Sequence, residues 1–197
     1  MDLCEELKLG VCATADGGAA LFNMADGQFF AGLMLCDVAA RSVLIVRHKD
    51  KKRYSVLCGS ADGVIHRIPL NTDPNTGKVD EENPFGVSEY DKTAMKPRHT
   101  GPVMCMESPD DDIFVSGGQD GTLRIWECTE KGTGDVDDQQ MQQPRETKCL
   151  YALTGYKLWL GSICTDEKRL ISDGGERSIV VRDYSRAKPG TNGRASI

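Results

Sequence analysis

His99, Ser116 and Asp120 bring an imidazole, a hydroxyl and a carboxylate into one short stretch of chain. Those are the groups of a nucleophilic triad, in which an oriented base takes the proton of an exposed hydroxyl. The stretch lacks the Gly-x-Ser-x-Gly elbow that would present such a nucleophile. Gly117-Gly118-Gln119-Asp120-Gly121 is glycine-rich but lacks the Gly-Lys-Ser/Thr ending of a phosphate loop. Asp110-Asp111-Asp112 and Asp135-Val136-Asp137-Asp138 carry the oxygen ligands that calcium takes, yet such runs read more simply as solvated faces. Eight cysteines, at 4, 12, 36, 58, 105, 128, 149 and 164, never form Cys-x-x-Cys. They do not pair with His48, His66 or His99 at ligand spacing. Most lie in apolar runs, as small buried hydrophobes in a reducing compartment do. The residues therefore predict no enzyme, no metal and no cofactor.

The elements that carry these residues repeat. Three segments share a plan of apolar run, Gly/Ser, acidic turn and β-branched run: Tyr54–Ile68, Ile113–Trp126 and Arg169–Arg182. A fainter copy runs over Val11–Phe22. The turn acids are Asp16, Asp62, Asp120 and Glu176, at steps of 46, 58 and 56 residues. Asp-Gly between two β-forming runs is a strong hairpin signal, because Gly takes the positive φ that a Cβ resists. No stretch has sustained helical periodicity, so the chain reads as all-β. Polar insertions near 71–97 and 129–147 read as surface loops with little structure of their own. A flexible tail is expected over 188–197.

The totals narrow the partners. The chain has 197 residues, 24 Lys+Arg and 30 Asp+Glu, for a formal charge of −6. That balance opposes nucleic acid and anionic membrane surfaces, both of which need a dense basic face. No stretch approaches the apolar length of a membrane helix. The N-terminal residues are acidic where a signal or transit peptide is basic. A cytoplasmic or nuclear location is the expectation.

His99-Thr100-Gly101-Pro102-Val103, then Ser116-Gly117-Gly118-Gln119-Asp120-Gly121 and Trp126-Glu127, resemble the WD-repeat family. The resemblance implies a β-propeller in which His99, Ser116, Asp120 and Trp126 form a structural hydrogen-bonded tetrad. In it, Ser116 bridges His99 to the Trp126 indole, and Asp120 accepts from His99 or turn amides. Other copies depart from the pattern. Cys58 and Ile68 replace Ser and Trp in one, while the last keeps Ser172 but has Glu176, Arg182 and Gly155-Tyr156. Those changes put the tetrad in question there.

Propeller blades over 1–187 are expected, with strand order b, c and then d-a-b-c three times. That is three to four blades, fewer than a typical closed ring, starting inside a blade. A part of a longer propeller is the first expectation; completion by a partner subunit is the second. Two copies would join a c strand to a b strand, which disfavours a shared ring. The resemblance implies a non-catalytic protein-interaction scaffold, a subunit or adaptor in a larger complex. Candidate partner-binding residues are Pro102, Gln119, Tyr156 and Trp159, with Ala61 and Gly175 at equivalent turns. One alternative is the substrate-recognition part of an F-box/WD-type ubiquitin-ligase receptor, which would need a helical F-box segment outside these residues. Another is a structural subunit of an enzyme complex.

Overall fold

The computed structural model describes residues 1–50, 52–73, 76–80, 82–85, 93–129, 146–156, 159–166, 168–173 and 178–184. Every regular element among them is a strand. Glu176, Gly175, the run 135–138 and the tail over 188–197 lie outside the described residues.

The strands form four antiparallel meanders. The first blade is β1 (Asp2–Cys4), β2 (Leu9–Ala13), β3 (Gly18–Asn23) and β4 (Phe29–Met34), side by side in that order. The second is β5 (Ala40–Arg47), β6 (Tyr54–Ser60), β7 (Ile65–Pro69) and β8 (Thr93–Ala94). The third is β9 (Val103–Asp110), β10 (Ile113–Gly118), β11 (Leu123–Thr129) and β12 (Glu146–Leu153). The fourth has three strands among the described residues, β13 (Ile163–Asp166), β14 (Arg169–Asp173) and β15 (Ile179–Asp183). The expected Asp-Gly hairpins are present, with Gly63 and Gly121 at φ 85° and 68°.

The expected strand order is corrected at its start. β1 supplies an inner strand, so the strands begin with a whole blade and the pattern is a-b-c-d three times followed by a-b-c. β1 has three residues and no β-branched run, so composition gives it no strand signal. It is held by pairing with Leu9–Val11 and by the Ile45 amide, which donates to the Asp2 carboxylate at 2.7 Å. The first insertion is also more ordered than expected. Leu70 bridges Phe85, Thr72 bridges Val79, and Phe85 is buried.

Side chains alternate across each sheet, so every blade offers one face to its predecessor and one to its successor. Val11 and Leu21 meet Val43 and Val56 between the first two blades. Leu44, Leu57 and Ile65 meet Val103, Phe114 and Trp126 between the second and third. Val115 and Leu123 meet Leu160, Ile163 and Leu170 between the third and fourth. The inner strands pack in sequence, β1 and β2 on β5, β5 on β9, and β9 on β13. Among the described residues no comparable contact joins β13–β15 to β1–β4. Among the described residues the blades form an open arc.

Candidate functional site

The tetrad positions come together in the third blade. The Trp126 indole N–H donates to Ser116 Oγ at 2.8 Å. Ser116 Oγ–H donates to His99 Nε2 at 2.8 Å, and His99 Nδ1–H reaches Asp120 Oδ1 at 3.1 Å. Asp120 also accepts from the Thr100 amide at 2.9 Å and the Thr122 hydroxyl at 2.7 Å. Each group donates and accepts in one direction with none conflicting, which is what a buried polar chain needs. His99, Ser116 and Trp126 are all fully buried. Gly118 makes the approach possible, since a Cβ there would sit 2.5 Å from both His99 Nδ1 and Asp120 Oδ1. Phe114 stacks on Trp126 with ring centroids 5.7 Å apart.

Burial lowers the His99 pKa, with Asp120 pulling the other way, so the ring is neutral as this chain of bonds requires. Burial alone would raise the Asp120 carboxyl. Hydrogen bonds from Thr122, Thr100 and His99 overcome that and hold it at about 2.

The network stiffens a rim above it. The Gln119 amide donates to the Pro102 carbonyl at 2.8 Å, tying the β10–β11 turn to the segment leading into β9. The His99 amide donates to the Gly63 carbonyl of the preceding blade at 2.9 Å. The Leu160 amide does the same to Gly118 at 3.2 Å. Each leading segment is thus bonded to its neighbour's turn, and Pro102, Gln119 and Trp159 share one edge of the arc. Leu160 is buried while Trp159 next to it is 55% exposed. Ala61 occupies the same place in the second blade, its amide donating to Ala39 at 2.9 Å.

Tyr156 takes a different place from the other three candidates. Its ring packs against the third–fourth blade core. Its hydroxyl accepts from Ser172 Oγ at 3.3 Å and from Arg182 Nε at 3.1 Å. Tyr156, Ser172 and Arg182 stand where His99, Ser116 and Trp126 do, so the fourth blade keeps a polar chain with different chemistry. The second blade abandons it: Cys58 and Ile68 are fully buried in the apolar core.

The solvated-face expectation for Asp110-Asp111-Asp112 is corrected. Asp112 is buried, at φ 61°, and accepts from His48 Nδ1 at 2.5 Å. His48 Nε2 accepts from Ser55 Oγ at 2.9 Å and from Arg67 Nη2 at 3.2 Å. The Asp112 amide donates to the Arg47 carbonyl at 2.9 Å, so this cluster locks the third blade to the second at the edge opposite the rim. Asp111 pairs with Arg47 at 2.7 Å. Burial and Arg67 lower the His48 pKa against the pull of Asp112. Sequence spacing gave no sign of this cluster. Its members come from two blades, and a buried Asp in an acidic run looks like its exposed neighbours.

Four of the thiols are poor nucleophiles. Burial pushes Cys58 and Cys105 up to about 12, and Cys4 and Cys128 up to about 11. Among the described residues no group of three or more His, Cys, Asp or Glu is arranged to hold a metal. A cavity of about 390 Å³ opens on the inner strands, with Asp2, Glu6, Glu107 and Asp111 around Arg47. Burial, then Asp2, raises the Glu107 pKa.

Four-strand antiparallel meanders stacked face to face around shared inner strands are blades of a β-propeller. Residues 92–127, which contain His99, Ser116, Asp120 and Trp126, match the WD domain, G-beta repeat. A stretch of 32 residues, 16% of this chain, is 50% identical to the serine-threonine kinase receptor-associated protein of Gallus gallus. The chain spans 9% of that protein's length. Two solved structures of computationally designed proteins share the fold. Ika8 overlays 90% of this chain and 43% of its own, at TM-score 0.55 and 21% identity. Ika4 overlays 92% and 88%, at TM-score 0.57 and 15% identity. WD repeats of this kind support a protein-interaction scaffold in general.

Proposed function

We propose that the chain is a non-catalytic scaffold that docks a protein partner on the rim formed by Pro102, Gln119 and Trp159, as a subunit or adaptor of a larger complex. The observation that carries the proposal is Trp159. It is exposed on one side, while its neighbour Leu160 is buried and hydrogen-bonded to the third blade. A large aromatic fixed on a stiff support loses little conformational freedom on binding, which is the profile of an interface hot spot. Gln119 and Pro102, held together by a backbone bond, supply a polar and an apolar contact beside it. His99, Ser116, Asp120 and Trp126 serve as the structural tetrad beneath this rim.

A structural rather than catalytic role for the two Asp-His-Ser chains is supported by burial. Ser116 and Ser55 are 0% and 1% exposed, which leaves no space for a substrate carbonyl at either hydroxyl. Eight free thiols support a reducing compartment, cytoplasmic or nuclear.

The test is a peptide selection on the immobilised 197-residue chain, followed by affinity measurement with variants. Trp159→Ala is expected to weaken a selected ligand by about 30-fold, and Gln119→Ala by less. Ligands that bind equally well to both variants would show that the rim is not the docking surface.

A further inference from the structure

Two buried imidazoles stand at opposite edges of the packing between the second and third blades, and they differ in what meets Nε2. At the rim, His99 Nε2 accepts from the Ser116 hydroxyl at 2.8 Å. At the other edge, His48 Nδ1–H donates to Asp112 Oδ1 at 2.5 Å, while Nε2 accepts from Ser55 Oγ at 2.9 Å and from Arg67 Nη2 at 3.2 Å. A hydroxyl can turn and accept; a guanidinium carries donors only and keeps its charge. A proton arriving at His99 Nε2 therefore finds an oxygen that can take its hydrogen bond. One arriving at His48 Nε2 finds Ser55 on one side and a second cation on the other. The Arg67 bond is lost, and two positive groups face each other where both side chains are almost wholly buried.

Arg67 cannot step aside within the closed cluster, because its Nε also donates to Ser55 Oγ at 3.3 Å. The Asp112 turn depends on the same cluster. Its carboxylate accepts from the Lys49 amide at 3.3 Å as well as from His48. The Asp112 amide donates to the Arg47 carbonyl at 2.9 Å, and its carbonyl accepts from the Cys128 amide at 2.7 Å. One residue, at φ 61°, thus joins the second blade to β11 of the third. Among the described residues, the other charged or titratable groups around the cluster are Arg53, the Arg47–Asp111 pair at 2.7 Å, the Lys49–Glu127 pair at 4.0 Å and the Cys128 thiol. Of these residue types, histidine is the one whose ordinary charge change falls between pH 5 and 8.

We propose that His48, Arg67 and Asp112 form a proton-operated latch: one proton taken up at His48 Nε2 expels Arg67, frees the Asp112 turn and opens the edge of the second–third blade packing opposite the rim. The proton comes from solvent, and Ser55 reverses its hydroxyl to accept from the protonated ring. Burial and Arg67 hold the His48 pKa below its ordinary value, so the latch opens on the acid side of that value and is closed at neutral pH. The device is independent of what docks on the rim.

The experiment is residue-resolved amide hydrogen exchange of the 197-residue chain at pH 7.5 and 5.5, corrected for the intrinsic pH dependence of exchange. It is paired with ring nitrogen shifts of His48 through the same range. Protection of the Asp112 and Cys128 amides is expected to fall by about tenfold, the most that freeing one histidine of ordinary value near 6.5 can give over that interval. The His99 and Gln119 amides at the rim fall less. His48→Gln removes the fall at Asp112 and Cys128 and leaves that at the rim. Arg67→Gln removes it too while His48 still titrates, because the new amide oxygen accepts from Nε2–H. Equal falls at both edges would overturn the proposal, as would a fall that persists in either variant. A His48 ring with a proton already on Nε2 at pH 7.5 would overturn it from the parent chain alone.

Discussion

The third and fourth blades use the same positions for different chemistry. In the third, Trp126, Ser116, His99 and Asp120 form a one-way chain of hydrogen bonds sealed by Phe114. In the fourth, Ser172 and Arg182 converge on the Tyr156 hydroxyl, and the guanidinium also lies 5.3 Å from the ring centre. His99, Ser116 and Trp126 are fully buried, whereas Tyr156 and Arg182 are only partly so. A position thus constrains the need for a satisfied polar chain more tightly than it constrains the residues that satisfy it.

The contrast can be broken by substitution. Trp126→Ala is expected to cost about 3–5 kcal/mol in chemical denaturation, and Arg182→Ala less than about 1 kcal/mol. Equal losses would mean that the two chains are equally sealed. Asp112→Ala should cost about 3 kcal/mol, because it leaves the buried His48 Nδ1–H without its carboxylate. A loss confined to a few tenths of a kcal/mol would show that water reaches that cluster.

Acid should separate the two blades as well. His48 and His99 have folded pKa values below the ordinary histidine value, so the unfolded chain binds more protons than the folded one as pH falls below about 6.5. Stability is therefore expected to fall with acidification, by at most about 1.4 kcal/mol per pH unit for each ring. Denaturant titrations at pH 7.5 and 5.5 check this, and His48→Gln or His99→Gln should each flatten the slope. Asp120 adds a second loss at lower pH, between its unfolded value of about 4 and its folded value of about 2. The fourth blade carries Tyr156 where the third carries His99.

Smaller effects sharpen the comparison. Ser116→Ala leaves the Trp126 N–H unsatisfied and is expected to cost about 1–3 kcal/mol. Ser172→Ala should cost less than about 1 kcal/mol, since Tyr156 and Arg182 keep each other. Trp159→Ala should change stability by no more than about 0.5 kcal/mol while it weakens binding.

What the sequence revealed followed local signals. Asp62-Gly63 and Asp120-Gly121 marked hairpins because a positive φ at the second residue is written in glycine itself. His99, Ser116, Asp120 and Trp126 were legible because one blade holds them all. β1 was hidden because three residues carry no periodicity, and a pairing partner together with Asp2–Ile45 makes it a strand. Asp112 was hidden for a related reason: its burial is decided by His48 and Arg67 on another blade. Tyr156 read as a rim aromatic until Ser172 and Arg182 showed where its hydroxyl goes.

The order in which the blades touch has a further consequence. Among the described residues each sheet packs on the next in sequence, so the single chain is a linear array whose stability adds as nearest-neighbour couplings. Such an array unzips from its ends, and its middle blades open last. In amide hydrogen exchange of the single chain, β14 and β15 should lose protection first. The first blade follows, and β6, β10 and β11 hold longest because both of their neighbours must leave before they do.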